Sequence, residues 1–421
     1  MTEEINASEI YIGENIRPDD RIAVFGSGAP AFQLVVTADS PEINAFDFEN
    51  FRKKCGPELK DLEKPDGTTK DVAFGLILRI KIKEEISEKL SNAVSNTVSI
   101  SDLEAVVEKK LGDFLNLISG ISHEFTRDKI EIIVGKKTVE EELTFGKIEK
   151  FLSRILLEKF PFIESADAFI STNRKNVEAG LCAARRIYKD RNERALLLSD
   201  ENASRFYGCR ICQNGTPAHV CVITPDRPSV CGTINWFEAG ASCLVNPDGP
   251  IFEIEKGTQI DGIRGEYAGV NAAVKNASGG ENERISLYSL LENPHTTGAV
   301  FDIIAFYIPE AGGIGLADRK TKTPTVNWMT FDEMADFTGY GTQISGFAGV
   351  GKTYLFSDKF LQKEGGWSTV VWMTKSLKNE LLAEIEDRRS AEKFGSLAEM
   401  IQKIPTEEDV SNTKELAEMK N

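Results

Sequence analysis

Histidine, long apolar runs and excess positive charge are the features that this chain has little of. Only three histidines occur in 421 residues, so the sequence gives little support to a His-rich metal centre or a Ser-His-Asp hydrolase. No stretch approaches the roughly 20 apolar residues that cross a bilayer. The 66 acidic and 50 basic residues give a net charge of −16, which opposes nonspecific binding to nucleic acid or to anionic membranes. We therefore expect neither a nucleic-acid partner nor a membrane.

Cysteine is also scarce outside one segment. Seven cysteines are present, and four of them fall within 23 positions, at Cys209, Cys212, Cys221 and Cys231. We expect the other three to be ordinary small side chains, namely Cys55, Cys182 and Cys243. An odd number concentrated in one place is typical of a reducing compartment. The acidic start M-T-E-E lacks the pattern of a secretory signal, so a cytoplasmic location is expected.

The four clustered cysteines predict a tetrathiolate metal site. Two of them are separated by two residues and can hold one metal from a single turn. The connecting loops of 8 and 9 residues let the other two thiolates complete the site. Zinc and an iron-sulfur cluster both accept four thiolates, so this spacing leaves the two open.

The chain is longer than one hydrophobic core supports, and its texture predicts several domains of α/β to α+β class. We expect an N-terminal α/β domain over 1–200, a loop-rich α+β cysteine domain over 201–391, and a polar tail over 392–421 without a broad apolar face, mobile or dependent on a partner. Ser101 and Glu104 form a capping-box pattern that opens a helix to about Ile121.

Further elements are predicted from periodicity and breakers. Helices are expected over Val139–Lys159 and Asn173–Asp190, and strands over Arg21–Phe25, Phe32–Thr37, Val72–Ile82, Lys129–Val134, Ala166–Ile170, Ile285–Tyr288, Ile303–Ile308, Thr353–Phe356 and Thr369–Met373.

Two glycine motifs imitate nucleotide sites. Gly346–Thr353 matches the phosphate-loop pattern, which keeps a nucleotide hydrolase as an alternative. Turn-rich sequence precedes it and no helix pattern follows it, so we interpret the match as accidental. Gly26–Ala31 follows a strand as a dinucleotide fingerprint does, but Pro30 and the strand after it favour a tight hairpin-like turn.

Basic residues cluster in the helix before the cysteines. The 3- and 4-residue spacings among Arg185, Arg186 and Lys189 put several charges on one helical face, which could bind the phosphates of coenzyme A. A solvated helix face is the alternative. His219 lies between cysteines and is expected either to donate a hydrogen bond to a thiolate or to support its loop.

The cysteine segment and the sequence after it resemble the β subunit of the acetyl-CoA decarbonylase/synthase complex, over about Phe206 to Leu382. Phe160–Glu164, F-P-F-I-E, adds a looser resemblance further upstream. The matching motifs are Cys209–Gln213, His219–Val222, Pro225–Phe237, Gly249–Gly257, Gly265–Asn271, Pro294–Thr296, Phe306–Glu310, Gln343–Lys352 and Gly365–Trp372.

The resemblance implies a 4Fe-4S cluster on Cys209, Cys212, Cys221 and Cys231, which favours iron-sulfur over zinc. In the family, a thiolate of this cluster bridges to one nickel, and a Cys-Gly-Cys tripeptide holds a second. The nickel pair joins CO, a corrinoid-borne methyl group and coenzyme A into acetyl-CoA. The family works with a CO dehydrogenase and a corrinoid protein, so these are the partners that the resemblance implies.

The chain departs from the family at the nickel site. Where the family has Cys-Gly-Cys after P-H-T-S, this chain has Gly298, Ala299 and Val300, and backbone amides without thiolates are poor nickel ligands. Gly215 also replaces a phenylalanine that lies over the nickel in the family. The sequence therefore predicts a paralogue with the cluster but without dinickel chemistry, in an accessory, assembly, regulatory or altered-chemistry role. The alternative is an active synthase with a single nickel on Cys212 and other recruited ligands.

Overall fold

The structure, a computed structural model, describes residues 21–25, 32–37, 74–86, 100–115, 117–118, 121–126, 129–135, 143–195, 197–296, 301–338, 341–387 and 391–420. The chain divides into two compact units, Met1–Glu193 and Arg194–Asn421. Both units combine helices with small sheets, which confirms the α/β to α+β class. No helix among the described residues is both long and apolar enough to span a membrane.

The first unit contains two three-stranded sheets with the orders β1–β5–β4 and β2–β3–β6. Strand β3 pairs parallel with β2 and antiparallel with β6. The elements are β1 (Arg21–Phe25), β2 (Phe32–Thr37), β3 (Gly75–Ile82), α1 (Ile100–Leu115), β4 (Ile121–Thr126), β5 (Lys129–Gly135), α2 (Phe145–Lys159), β6 (Ile163–Ser171) and α3 (Arg174–Ala195).

The first two strands have the predicted bounds, but the predicted hairpin between them is wrong. Strand β1 pairs with β5, whereas β2 pairs with β3 in the other sheet. Residues 26–31, which carry the glycine pattern, lie outside the described residues. The β-strand that follows them is the element that argues against a dinucleotide-binding helix there.

The capping-box prediction at Ser101 is wrong. Helix α1 already begins at Ile100, so Ser101 is inside it. The Glu104 carboxylate instead accepts a hydrogen bond from Arg191 Nη2 at 3.1 Å, and Glu108 accepts one from Arg191 Nη1 at 2.9 Å. All three side chains are at most 8% exposed. The sequence signal reflected a buried ion network rather than a helix cap.

Replacing Arg191 should destabilise the first unit strongly. Arg191→Met would leave two buried carboxylates without their guanidinium, and we expect a loss of about 3–5 kcal/mol in the free energy of unfolding. Urea unfolding followed by circular dichroism measures this. The control is Arg154→Ala on α2, whose partner Glu158 is one helical turn away and about half exposed, and where about 0.5 kcal/mol is expected. Equal losses in the two variants would contradict this account.

The second unit contains three sheets, with the strand orders β8–β7–β9, β10–β11 and β14–β12–β13–β15. Its elements are β7 (Arg205–Cys209), β8 (Cys221–Ile223), α4 (Trp236–Val245), β9 (Ile251–Glu255), β10 (Gln259–Asp261), β11 (Glu266–Tyr267), α5 (Ala268–Ala277), β12 (Ile303–Ile308), β13 (Gly313–Asp318), α6 (Phe331–Phe337), β14 (Phe347–Val350), β15 (Val370–Met373), α7 (Lys375–Asp387), α8 (Ala391–Lys403) and α9 (Thr413–Lys420).

Two of the four strands predicted in this unit are wrong. Residues 285–288 form no strand, and Thr353–Phe356 lies in a 3₁₀ helix over Lys352–Phe356. Tyr354, Leu355 and Phe356 are all at most 3% exposed, so their apolar character serves tertiary packing rather than a pleated surface. The strands at Ile303–Ile308 and Val370–Met373 are confirmed.

The C-terminal tail packs its apolar residues, unlike the predicted tail without an apolar face. Phe394, Ile401 and Ile404 of the α8 region are at most 6% exposed, and Leu416 of α9 is 2% exposed. The first three belong to the same hydrophobic cluster as Leu377 and other buried residues of the second unit. Helix α8 therefore forms part of the core of this unit.

Candidate metal centre

Two of the four cysteines are direct cross-strand partners. Cys209 ends β7, Cys221 begins β8, and the two are opposite each other in the antiparallel ladder. Side chains that are opposite each other across such a ladder point to the same face of the sheet. Both cysteines are at most 6% exposed, and Val220 and Val222, which flank Cys221, are fully buried. The ladder therefore brings two thiols together in an apolar setting.

Cys212 lies on a short 3₁₀ helix (Ile211–Asn214) directly after this ladder. Its carbonyl accepts hydrogen bonds from Gly215 N at 3.1 Å and from Thr216 N and Oγ1, both at 2.9 Å. These bonds close the turn that carries the thiol. Cys212 is half-buried, whereas Cys209 and Cys221 are buried.

Cys231 is held by a turn with specific steric requirements. Ser229 N donates to Ile234 O at 2.9 Å, and Ile234 N donates to Ser229 Oγ at 2.9 Å. The Cys231 sulfur lies 2.9 Å from Thr233 Oγ1 and 3.3 Å from Ser229 Oγ. Gly232 has a φ of +69°, and a Cβ there would be 1.8 Å from a carboxylate oxygen of Asp302. Only glycine fits this position without a rearrangement.

The thiols interact electrostatically. Burial raises the pKa of Cys221 well above its usual value, and the neighbouring Cys209 and Cys231 raise this pKa further. The Val230 amide, which donates to the Cys221 sulfur at 3.3 Å, and the Arg227 guanidinium act in the opposite direction. Three of the four cysteines are therefore close enough to affect each other. Among the described residues, no group of three or more His, Cys, Asp or Glu side chains is placed so that it could hold a metal ion.

The segment before position 297 is fixed to the free edge of β8. Val222 N donates to His295 Nε2 at 2.8 Å, and Val220 N donates to Thr296 Oγ1 at 3.1 Å. Thr296 Oγ1 in turn donates to Val220 O at 2.5 Å. These contacts flank Cys221 on both sides in the sequence, so the chain enters positions 297–300 beside a predicted metal ligand.

The segment after position 300 is fixed to the turn that carries Cys231. Asp302 N donates to Val230 O at 3.2 Å, and Lys352 N donates to Asp302 Oδ2 at 3.1 Å. Gly298, Ala299 and Val300 themselves lie outside the described residues. The described residues on both sides nevertheless attach this segment to two of the cysteine-bearing elements.

Gly215 occupies open space. A Cβ built at Gly215 meets no atom within 4 Å, and the backbone there has an ordinary right-handed helical conformation. Nothing in the described residues requires glycine at this position, because a larger side chain would meet neither strain nor a clash.

Alanine substitutions at the two glycines should therefore differ. Gly232→Ala forces a positive φ on a residue with a Cβ and displaces Asp302, and we expect a loss of about 1–3 kcal/mol in unfolding free energy. Gly215→Ala should change this free energy by less than about 0.5 kcal/mol. Thermal or urea unfolding of the two variants, at the same metal loading, measures the difference. A tolerated Gly232→Ala would contradict the placement of Asp302.

Cys243 lies outside this arrangement. Its thiol donates to Ile251 O at 3.3 Å. Burial raises its pKa to about 12, and Glu253 contributes. His219 is 1% exposed, and its Nδ1 is 3.3 Å from Thr296 Oγ1; this contact links it to the segment before position 297.

The basic cluster on α3 is only partly accessible. Arg185 is exposed, the side chain of Arg186 lies outside the described ones, and Lys189 is 4.0 Å from Glu193 in an ion pair. Arg191, from the same run, is buried against Glu104 and Glu108. Phosphate binding by Arg185, Arg186 and Lys189 stays a prediction.

The phosphate-loop motif has a different geometry from a nucleotide site. Strand β14 lies within the motif, and a 3₁₀ helix follows it in place of the long helix that phosphate binding needs. The Lys352 ammonium forms an ion pair with Glu380. Gly351 lies against the turn of Cys231, since a Cβ there would be 2.5 Å from Ser229 O. The loop therefore supports the cysteine turn, which agrees with an accidental match.

A buried carboxyl pair supports the loop between β8 and Cys231. Asp200 N donates to Asp226 Oδ2 at 2.7 Å, and Asp226 N donates to Asp200 Oδ1 at 2.8 Å. The Tyr288 hydroxyl donates to Asp200, and Ser357 Oγ donates to Asp226 at 3.0 Å. Burial, together with the charge of Asp226, raises the pKa of Asp200 to about 7. Sequence patterns gave no sign of this pair, because its members are 26 positions apart.

The Asp200 proton should make stability depend on pH. The pKa of Asp200 is about 7 in the fold and 3.8 as an ordinary carboxyl, so the folded chain binds more protons between these values. The contribution of Asp200 to the free energy of unfolding is therefore fully present at low pH and is lost as pH rises from about 4 to about 7. Thermal unfolding of wild type and Asp200→Asn, compared at about pH 5 and about pH 8, should show a smaller decrease in the variant.

The matched control for this measurement is Asp248→Asn, which changes an exposed aspartate. It should keep the wild-type dependence on pH. An unchanged dependence in Asp200→Asn would show that Asp200 is ionised in the folded chain.

The protein has two units that each combine helices with small sheets. In the second unit, four cysteines lie on one strand pair and on two adjoining turns. These features define an α+β protein with a cysteine site. Residues 188–420 match the family model for the C-terminal part of the ACS/CODH beta subunit, and residues 4–177 match the model for the beta subunit of the CO dehydrogenase/acetyl-CoA synthase complex. The chain belongs to the family of β subunits of the acetyl-CoA decarbonylase/synthase complex.

Individual relatives agree with this assignment. The acetyl-CoA decarbonylase/synthase complex subunit beta 1 of Methanosarcina mazei is 36% identical over 410 residues, which are 97% of this chain and 80% of the relative. The Archaeoglobus fulgidus subunit beta is 37% identical over 98% of this chain and 73% of the relative. The Methanopyrus kandleri subunit beta is 43% identical over 75% of this chain, but the match spans only 66% of that relative.

A solved structure of the C-terminal domain of the acetyl-coenzyme A synthase alpha subunit is also similar in sequence. It is 32% identical, covers 28% of this chain and 89% of its own, and gives a TM-score of 0.24.

Proposed function

We propose that this chain is an iron-sulfur subunit of the acetyl-CoA decarbonylase/synthase family that holds a 4Fe-4S cluster on Cys209, Cys212, Cys221 and Cys231 and lacks the dinickel site. The observation that carries the proposal is the attachment of the segment 297–300 to the elements of Cys221 and Cys231. Where the family has thiols, this segment has none.

The donor set suits an iron-sulfur cluster by its chemistry, and binding would have to draw the four thiols together, since no described group is placed to hold a metal ion as it stands. Four thiols from one segment are the ligands that such a cluster uses. Buried thiolates that repel each other need a compensating positive charge, and bound iron supplies it. The Val230 amide on the Cys221 sulfur is the kind of hydrogen bond that tunes cluster thiolates. The bound cluster would supply one-electron transfer.

The described residues do not offer a substitute for the missing nickel ligands. Low-valent nickel favours soft sulfur donors, and positions 298 and 300 carry none. Cys243, the other cysteine near this region of the sequence, donates its thiol hydrogen to the backbone carbonyl of Ile251. We therefore propose an accessory, assembly, regulatory or altered-chemistry role in place of acetyl-CoA synthesis.

The setting of this role follows from the family. Its relatives are named as subunits of a complex, so we propose that this chain also binds a larger assembly, with CO dehydrogenase and corrinoid subunits as the partners to test and coenzyme A as a candidate ligand. The six described cysteines form no disulfide, which supports a reducing compartment such as the cytoplasm.

An active synthase is the second candidate. It is favoured by the 36–37% identity to decarbonylase/synthase subunits over nearly the whole chain. In that case nickel would bind at Cys212 with recruited ligands, and the chain would condense CO, a methyl group and coenzyme A.

Metal analysis of anaerobically purified protein separates the two candidates. We expect about four irons per chain, the electron paramagnetic resonance signal of a reduced 4Fe-4S cluster, and no bound nickel. Exchange of labelled CO with acetyl-CoA should be absent. Nickel at one or more per chain together with exchange would establish the active synthase, and zinc without iron would end the cluster assignment.

A variant in which the two cysteines of the family tripeptide are restored tests whether nickel binding can be regained. The triple substitution Gly298→Cys, Ala299→Gly and Val300→Cys returns the family tripeptide between attachments that are already present. We expect this variant to gain nickel while its iron content and cluster signal stay as in the wild type. Failure to gain nickel would show that more than the two thiols has been lost.

A further inference from the structure

Arg227 is a buried cation whose guanidinium is only partly satisfied. It is 3% exposed, and its Nε and Nη1 have no hydrogen-bond partner. No carboxylate among the described residues lies within ion-pair distance of it. Its guanidinium lies over the ring of Tyr354, with Cζ 5.1 Å from the ring centroid. One face of the guanidinium is therefore covered by an aromatic ring, while two in-plane nitrogens remain unsatisfied.

The carboxyl pair that supports this loop has hydrogen-bond donors of its own. Asp200 accepts from Asp226 N and from the Tyr288 hydroxyl. Asp226 accepts from Asp200 N and from Ser357 Oγ. The Asp200 charge acts on the Arg227 guanidinium, but no carboxylate among the described residues forms an ion pair with it. An unpaired buried charge costs several kcal/mol, and such a residue calls for an anion that these side chains do not supply.

Arg227 lies in the loop that joins two of the cysteines. The residue is in the loop between β8 and Cys231, six positions after Cys221 and four before Cys231. Two hydrogen bonds to Thr224 fix its backbone. Thr224 N donates to Arg227 O at 2.8 Å, and Arg227 N donates to Thr224 Oγ1 at 3.0 Å. Its charge acts on Cys221 and also on His295. Cys221 and His295 are therefore both within reach of this charge.

We propose that Arg227 is the counter-charge of the cluster, and that its fixed positive charge and unpaired N–H groups favour the reduced state and so set the reduction potential. This inference rests on the proposed function, because it needs the cluster on the four cysteines. One electron from a reductant takes the cluster with its four thiolates from a dianion to a trianion, with no proton transferred. A nearby buried cation stabilises the trianion more than the dianion.

The test is a redox titration of the anaerobic protein with mediator dyes, followed by electron paramagnetic resonance of the reduced cluster. We compare wild type, Arg227→Lys, Arg227→Met and Arg205→Met. Arg205 is on the strand of Cys209, but its side chain is 50% exposed and pairs with Glu253. Its replacement removes the same charge where solvent screens it, so its potential should match that of the wild type.

In Arg227→Met we expect the ratio of reduced to oxidised cluster at a fixed potential to fall at least tenfold, a shift of about 59 mV to more negative potential for one electron. Arg227→Lys keeps the charge, so its reduction potential should lie between those of the wild type and Arg227→Met. A wild-type potential in Arg227→Met would overturn the inference, as would an equal shift in Arg205→Met.

Cluster retention provides a second readout if Arg227→Met binds no iron. Arg227→Lys should then retain iron and Arg227→Gln should not, because charge rather than shape is required. Equal retention or equal loss in these two variants would overturn the inference. Failure of the proposed function gives a different result, namely a wild-type protein with no cluster signal at all.

Discussion

Charge balance in a small buried volume is the constraint on which the second unit depends. Cys209 and Cys221 are brought together by the strand ladder, Cys231 is close enough to affect them, and Arg227 is buried beside them without a carboxylate among the described residues. As neutral thiols with a bare guanidinium, these groups are expensive to bury. The cluster that we propose on the four cysteines would carry a net negative charge, and this charge would complement the cation.

The edge of β8 explains how the fold combines this site with the segment 297–300. Strand β8 has β7 on one side only, so its outer edge leaves backbone groups that need partners. His295 and Thr296 satisfy the amides of Val222 and Val220 at that edge. Side chains rather than another strand therefore complete this edge, and they hold residues 295 and 296 against the two amides that flank Cys221.

Much of the architecture could be predicted from local sequence, and the errors have physical causes. The bounds of β1, β2 and β12 were predicted correctly, because alternating and β-branched residues mark strands. Strand β4 was missed because the helical pattern of α1 was extended past Leu115. In the tail, Phe394, Leu397, Ile401 and Ile404 follow a helical spacing that was underestimated.

The site shows a similar division. Spacing indicated the set of four cysteines, but it could not show that Cys209 and Cys221 are directly opposite each other, since register depends on the whole sheet. Arg227 resembled any other charged loop residue, and only its burial and its unpaired nitrogens distinguish it. The pair of Asp200 and Asp226 is likewise a product of tertiary contact. Long-range polar pairs leave no periodic signal in a sequence.

The bonds that fix the chain on both sides of 297–300 use no side chain of that segment. Before it, the bonds come from His295 and Thr296; after it, they come from the Asp302 backbone amide and carboxylate. A substitution at position 298 or 300 would therefore leave these bonds in place. The cysteines are different in this respect, because Cys209 and Cys221 lie on a buried strand ladder and Cys231 lies in a turn that only glycine at position 232 fits. A substitution at these positions would change the packing of the unit as well as its sulfur ligands.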